Sequence, residues 1–460
     1  MSIRQLGHLA GSSAVSASLP GDPLRLTVPA WRTALYDELH ARPFPMLEAP
    51  VRVSHLAVLP QETDGSEADK ADAAQDFARQ AAAHLAALCA RFGLQAPAAG
   101  ESCFYRDFGA FELRWERHTE FCTWTVLQKG TDAAPLVNTP LTVLPPDWLA
   151  ALPGRIAVAV HLVVEPRRDP APTRDELRVH FEGHRMIGCR VYDGRAEVWT
   201  AFRLHADGAG RFFVFHDDLN PCETGRLVQQ LLEVETYRLM ALVTLPLVRA
   251  SQAELTAMDL DLATVVSRLH AGDGRGERAL LDRLSGHAAR LEQLRARLNY
   301  RLAATRAYYA LVMTRLEQLR IVEIRGLQTL SYFLDRRLTP AVRTCEAAGT
   351  RLDDLSLRID RAAELIRTRV ELTIEEQNQA LLTSMDRRSH LQLRLQQAVE
   401  GLSVVAISYY VVQLVHTVAA ALPRFGIAVD ADLAAAASVP LVVGAALGLL
   451  FWLRRRLPRE

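Results

Sequence analysis

Lysine is almost absent from this 460-residue chain: Lys70 and Lys129 stand alone, and arginine supplies the rest of its 53 basic residues. With alanine so abundant, the bias reads as GC-rich codon usage, and a lone arginine carries little functional weight. Charge of one sign is also lacking, since 53 acidic residues bring the net charge to zero. A nucleic-acid binder ordinarily shows a basic surplus, so that class is set aside. No Cys-x-x-Cys occurs, and the six cysteines lie dispersed at 89, 103, 122, 189, 222 and 345. That excludes a zinc knuckle and a secreted disulfide framework and fits a reducing compartment. No apolar run opens the chain, so nothing is expected to export its front. A P-loop, a Gly-x-Ser-x-Gly elbow, a Rossmann glycine cluster and a kinase signature are all missing, which speaks against a standard nucleotide enzyme.

Apolar length is present at the other end. Residues 402–422 and 433–453 are two runs of 21 residues without a formal charge at neutral histidine. Each is about 31 Å long as a helix, enough to cross a bilayer core. Arg387, Arg388 and Arg394 precede the first run, and Arg454, Arg455, Arg456 and Arg459 follow the second. The loop 423–432 holds Arg424 beside Asp430 and Asp432. The positive-inside rule then puts both termini in the cytoplasm and the loop outside. Gln413 and His416 are polar groups within the first span, either bonding a neighbouring helix or serving a pathway. Gly444 and Gly448 share a helix face and allow close packing, within the hairpin or between protomers.

Residues 1–29 read as a disordered N-terminus, and 30–250 as an α+β cytoplasmic domain. Strands are predicted at 51–59 and 155–164, a hairpin within 103–127 turning near 117–120, and a three-strand meander over 187–216. Asp193-Gly194 and the stretch 207–210 supply its turns. A strand, a linker and further strands thus occur twice, an order compatible with internal duplication. Residues 60–73 read as a polar loop and 74–92 as an amphipathic helix. Asn220, Pro221 and Glu223 predict a helix start, with the helix bending at Pro246 and its all-apolar stretch 239–248 buried between layers. Residues 251–401 read as helical and partly coiled coil, with a helix start at Thr339-Pro340. A stripe follows through Leu355, Ile359, Ala362, Ile366, Gln377, Leu381 and Met385. The last helix is expected to enter the first span directly, as a stalk, and 454–460 forms a basic cytoplasmic tail.

Several segments carry a resemblance: 36–45 (YDELHARPFP), 114–121 (RWERHTEF), 225–238 (GRLVQQLLEVETYR), 334–347 (LDRRLTPAVRTCEA), 375–388 (EEQNQALLTSMDRR) and 391–410 (LQLRLQQAVEGLSVVAISYY). Together they resemble a bacterial family of membrane-anchored proteins catalogued as domain of unknown function 3422. Gly188-Cys189 stands where that family has Gly-Ser, and Ala201 where it has Asp. The resemblance implies an inner-membrane protein and brings no catalytic residue. In outline, two C-terminal spans behind a cytoplasmic body also resemble CorA-type magnesium channels. Their Gly-Met-Asn motif is missing, since 421–425 reads ALPRF.

Two clusters could hold a ligand. Glu38, His40 and Arg42 either grip an anion or close a helix end before Pro43. Arg117, His118 and Glu120 occupy the predicted hairpin turn, as recognition residues or as solvated charges. His180, Glu182 and His184 invite a metal, but they are expected among strands, where the two imidazoles stand about 13 Å apart. The expected protein is therefore a non-enzymatic scaffold or sensor without cofactor or metal. Its partners are the lipid bilayer, a further copy of itself, and a small ligand or protein. The alternatives are a two-span channel or transporter subunit lined by Tyr409, Tyr410, Gln413 and His416, and a metal-dependent hydrolase.

Overall fold

The computed structural model describes residues 17–18, 27–28, 31–32, 35–36, 43–61, 67–98, 100–132, 134–271, 276–422 and 430–456. They belong to two compact units, one of residues 1–267 and 285–360, the other of 268–284 and 361–460.

The first unit is an α+β structure. Its elements are β1 (Val51–Leu59), α1 (Glu67–Arg91), β2 (Cys103–Asp107), β3 (Glu112–Arg117), β4 (Cys122–Lys129), α2 (Pro146–Ala150), β5 (Arg155–Pro166) and α3 (Arg174–His180). β6 (Ile187–Val191), β7 (Ala196–Thr200), β8 (Gly210–His216), α4 (Pro221–Leu242), α5 (Thr244–Ala271), α6 (Glu277–Gln318), β9 (Val322–Glu323) and α7 (Leu330–Ala421) follow. Nine strands form one sheet in the order β9-β6-β7-β8-β5-β1-β4-β3-β2. At its centre β1 pairs antiparallel with β5, setting Val53 beside Leu162 and Ser54 beside His161.

Each half places its strands in the same relative order, first-fourth-third-second. Yet β1 runs antiparallel to β4 while β5 runs parallel to β8. The repeated order legible in the sequence is therefore not a simple structural duplication. The turn between β6 and β7 forms as expected, with positive φ at Tyr192, Asp193 and Gly194.

Alternation along the strands sorts side chains onto two covered faces. Val53, Val160, Leu162, Phe212 and Val214 pack with Leu227, Leu231 and Val234 of α4, and with Leu316, Leu334 and Leu338 from α6 and α7. On the opposite face Leu56, Trp115, Trp124 and Val126 meet Phe77, Leu85 and Leu88 of α1. Farther along, Trp199, Phe213 and Phe215 meet Leu177 of α3. The sheet core thus extends past residue 250 into α6, β9 and α7.

Four helical expectations change. The helix over 74–92 begins at Glu67, inside the stretch expected as loop, because Glu, Ala, Asp and Lys there are tolerant of helix and need no turn chemistry. The helix from Pro221 stops at Leu242 instead of bending at Pro246. The Pro246 ring conflicts with the carbonyl four residues back, which is that of Leu242. At this break Thr305 Oγ1 lies 3.2 Å from the Ala241 carbonyl and 2.7 Å from Thr244 Oγ1, and the Thr244 hydroxyl donates to the Arg301 carbonyl at 3.0 Å. Met240, Ala241 and Val248 are buried, but Val243 and Leu247 are exposed, so 239–248 is not enclosed on every face. Pro340 lies inside α7, whose start is at Leu330, with Thr329 Oγ1 accepting from the Tyr332 amide at 3.1 Å. Leu334, Leu338 and Val342 are all buried, and their packing carries the helix past the proline.

The three long helices are tied by ions. Arg351 and Arg358 reach Asp259 at 2.7 and 2.8 Å, Arg295 reaches Asp353 at 2.8 Å, and His287 reaches Asp261 at 2.6 Å. With Thr244 bonded to Arg301 and Tyr309 to Thr339 farther along, α5 is antiparallel to α6, and α6 antiparallel to α7.

The second unit holds the rest of α7 and α8 (Ala431–Arg456). Arg369 binds Glu277 at 3.2 Å and the Leu269 carbonyl at 2.5 Å. Two apolar stretches here are long enough to cross a membrane, and their windows are 11% and 0% buried. A soluble core helix would hide such a surface, so lipid is its natural cover and the protein is membrane-associated. His416 Nε2 lies 3.3 Å from Asp432 Oδ1, linking the two spans. A Cβ added at Gly444 or Gly448 would meet nothing within 4 Å, so their shared face is not packed within the hairpin. Tyr409 and Tyr410 are both exposed and meet edge to face.

Gly225 in the first turns of α4 is a place of close approach. A Cβ there would sit 1.7 Å from the Pro45 carbonyl oxygen. The backbone of one segment must then retreat, so Gly225→Ala should cost about 1–3 kcal/mol and lower the denaturation midpoint. An unchanged midpoint would show that 43–48 does not lie against α4.

Candidate functional site

The capping box predicted at the start of α4 is present. Asn220 Oδ1 accepts from the Glu223 amide at 2.9 Å, and Glu223 Oε2 accepts from the Asn220 amide at 3.1 Å. So anchored, α4 lies over β1, β4 and β3 and encloses a cavity of about 300 Å³. That is the lower end of the range for small-molecule sites.

Two rows of cross-strand neighbours make its floor. Arg114, Thr125 and His55 stand side by side across β3, β4 and β1, with Glu116 and Thr123 in the next row. The roof is a helical stripe, Gln229, Glu233, Thr236 and Tyr237, with Val228 and Leu232 beside it. Pro45, His118, Phe121, Leu127 and Arg315 complete the lining.

Hydrogen bonds fix most of these groups. His55 Nδ1 lies 2.8 Å from Thr125 Oγ1, and Nε2 lies 3.1 Å from Thr236 Oγ1, so the imidazole joins floor to roof. Arg114 donates to Glu116 at 2.9 Å and to Gln229 at 3.1 Å. Glu233 accepts from Gln229 at 2.7 Å and also from Arg315. Two arginines therefore face two glutamates, and the lining is charge-balanced. Two buried polar atoms have no hydrogen-bond partner, Arg114 Nε and Thr123 Oγ1. Their residues are 4% and 3% exposed. An orphaned buried polar group costs about 1–3 kcal/mol unless another molecule supplies its partner.

The predicted turn cluster divides. His118 lines the cavity, its ring stacked on Phe121 at 4.4 Å. Arg117 instead donates to the Gly100 carbonyl at 3.0 Å. Glu120 accepts from Arg301 and, at 2.6 Å, from the Tyr308 hydroxyl, pinning the turn to α6. Burial, and then that bond, raise the Tyr308 hydroxyl well above its usual range. Glu38, His40 and Arg42 lie outside the described residues; Pro45, just after them, is in the lining.

Sequence reasoning missed His55, Arg114, Glu116, Thr123, Gln229, Glu233 and Arg315. The signal was a polar residue recurring every second position on a strand, and at intervals of four, three and one on the helix.

The family described as Protein of unknown function (DUF3422) matches residues 29–457. The chain belongs to this family. No curated protein and no solved structure matches it. Three of the segments that carry the DUF3422 resemblance meet in this one cavity: 36–45 through Pro45, 114–121 through Arg114, Glu116, His118 and Phe121, and 225–238 through the stripe on α4.

Metal chemistry finds no site among the described residues, where no three His, Cys, Asp or Glu side chains come together. His180 ends helix α3 instead of lying in a strand, because Thr173 and Glu176 form a capping box. Its carbonyl accepts from Arg211 at 2.8 Å, and Glu182 pairs with the same arginine at 3.0 Å. Burial raises the Cys122 thiol to about 12 and the Cys189 thiol to about 11, so neither is a thiolate near neutrality.

Burial also holds the His55 imidazole down to about 3, with His118 and Arg114 adding repulsion, and holds His161 down to about 4. The unfolded chain accepts these protons near 6.5, well before the folded chain does. Stability is therefore complete above that value and declines as pH falls towards 4, by ~1 kcal/mol per pH unit for each histidine. Denaturant titrations between neutral pH and mild acid should show this slope, and His55→Gln should remove about half of the part due to the pair. An unaltered slope would mean that His55 titrates normally.

Proposed function

We propose that this DUF3422 protein is a membrane-anchored sensor whose α+β domain binds a small polar molecule in the cavity under α4. The observation that carries this is the pair of buried, unpartnered polar atoms, Arg114 Nε and Thr123 Oγ1, in a lining whose charges already cancel. A ligand presenting a hydrogen-bond acceptor to the arginine and either partner to the threonine satisfies both. Zero net lining charge favours an uncharged or zwitterionic molecule over a strong anion. The apolar side, with Phe121, Leu127, Val228 and Leu232, accommodates a hydrocarbon portion. Residues 30–250 would supply most of this body, 251–401 the helical region, and 402–453 the hairpin. Positive charge outside the hairpin loop supports cytoplasmic termini.

Thr123→Val separates binding from folding. It removes an orphaned hydroxyl at nearly constant shape, so it should leave stability unchanged or raise it by up to about 1 kcal/mol. Native mass spectrometry of the gently extracted full chain should show a small molecule on the parent protein and a weaker signal on Thr123→Val. Equal retention by both proteins, or a clean apo mass for the parent under conditions that keep lipids bound, would sink the proposal.

Membrane attachment is tested apart from binding. A chain ending before residue 402 should leave the membrane fraction, and tight residual attachment would assign anchoring to another surface.

A further inference from the structure

In the second unit, residues 374–395 of α7 run without cover from any described residue, Gln396 and Val399 come near Ala446 and Leu449 of α8, and much of the exposed surface is apolar. Leu381 is 61% exposed, Met385 57%, Leu395 65% and Val399 58%. Water does not hold a solitary helix of this kind with such side chains bare; helices of this length owe most of their stability to packing. The first unit shows what the same helix does under cover, where Cys345, Ala348, Leu352, Leu355 and Ile359, alternating three and four apart, are all buried.

The bare segment keeps that spacing. From residue 374 to 402, steps of four and three residues pick out one seam, and Ile374, Leu381, Met385, Leu395, Val399 and Leu402 lie on it. Three polar residues share the seam, Asn378, Arg388 and Gln392. Of the positions flanking it, Glu375 at the start is charged, while Gln377, Leu382, Ser384, Ser389, Leu391, Gln396 and Ala398 are not. In a chain with 23% charged residues, a solvated face would carry charge. Asp386, Arg387 and Arg394 instead stand on the far side. A seven-residue repeat whose border carries one charge in eight positions is the pattern of a coiled-coil seam.

We infer that residues 374–402 form a parallel, in-register coiled coil with the same segment of a second copy of this chain. The membrane selects this occupant. Leu402 opens the first apolar span, so two copies in one bilayer present their helices side by side in the same direction. In that register Asn378 meets Asn378 and Gln392 meets Gln392, and an amide side chain both donates and accepts, so each layer is self-complementary. Arg388 meets Arg388, a destabilising layer that fixes register at a cost in affinity. The ligand cavity plays no part, so the two proposals stand or fall separately.

Matched cysteines test it in the full-length protein in native membranes. Gln392→Cys stands on the seam and Gln397→Cys on the far face of the same turns. Under mild oxidation the seam variant should give about tenfold more cross-linked dimer, because only there do facing β-carbons approach disulfide distance. The parent chain supplies the background from native cysteines. Equal yields, or a larger yield from Gln397→Cys, overturn the inference. Arg388→Leu gives a second readout that disruption of folding cannot mimic: the oligomer should resist dissociation by heat or detergent better than the parent. An unchanged or weakened oligomer overturns the seam as the interface.

Discussion

The antiparallel pairing of β1 with β5 is the contact on which the rest of the first unit depends. It joins the four strands on the β1 side to the five on the β5 side, and Val51–Val58 and Val160–Glu165 are covered on both faces. No water reaches these stretches, so each polar side chain on them must find its partner inside the protein. Ser54 bonds the His161 ring at 2.8 Å, its direct cross-strand neighbour, and His55 bonds Thr125, its neighbour on the other side. The imidazoles stay neutral because charging them here has no compensation. His55 then reaches upward to Thr236 and fixes the height of α4 over the sheet. The cavity is the gap left where polar rows on β3 and β4 replace the apolar packing found nearer β5.

Strand placement was legible in the sequence because these segments are short runs rich in β-branched and aromatic residues that end in recognisable turns. β1 ends where its apolar run gives way to Pro60, and the 187–216 meander breaks at Asp193-Gly194 and before Gly210. The start of α4 was legible because a capping box is local chemistry. Pro340 misled because local preference made it a start, while tertiary packing of Leu334, Leu338 and Val342 carried the helix through it. The edge strand β9 was not legible: two residues pairing with β6 across the chain leave no periodic trace.

The candidate site was half legible, for a geometric reason. Arg117, His118 and Glu120 were singled out as a charged turn, yet neighbours in a strand point to opposite faces. Arg114, Glu116 and His118 share the face under α4, while Arg117 turns away and Glu120 serves the turn itself. Reading that segment by alternate positions separates ligand-facing groups from structural ones. The roof needed the other period, since Gln229, Glu233, Thr236 and Tyr237 form a single polar stripe only on a helix. Neither pattern identifies a site alone. Their convergence requires the sheet order, which no local signal carries.

The central pairing also orders events in time. β2, β3 and β4 meet through short turns, as do β6, β7 and β8, whereas Val53 and Leu162 are separated by about a hundred residues. Closing so long a loop is slow compared with forming a meander. While it is open, β1 and β5 each present an unpaired edge complementary to the other. Neighbouring nascent chains at the same membrane offer the same two edges. Exchange of a central strand between copies is therefore the misfolding route that this topology leaves most open, and prompt closure of one pair of strands is what keeps each molecule its own.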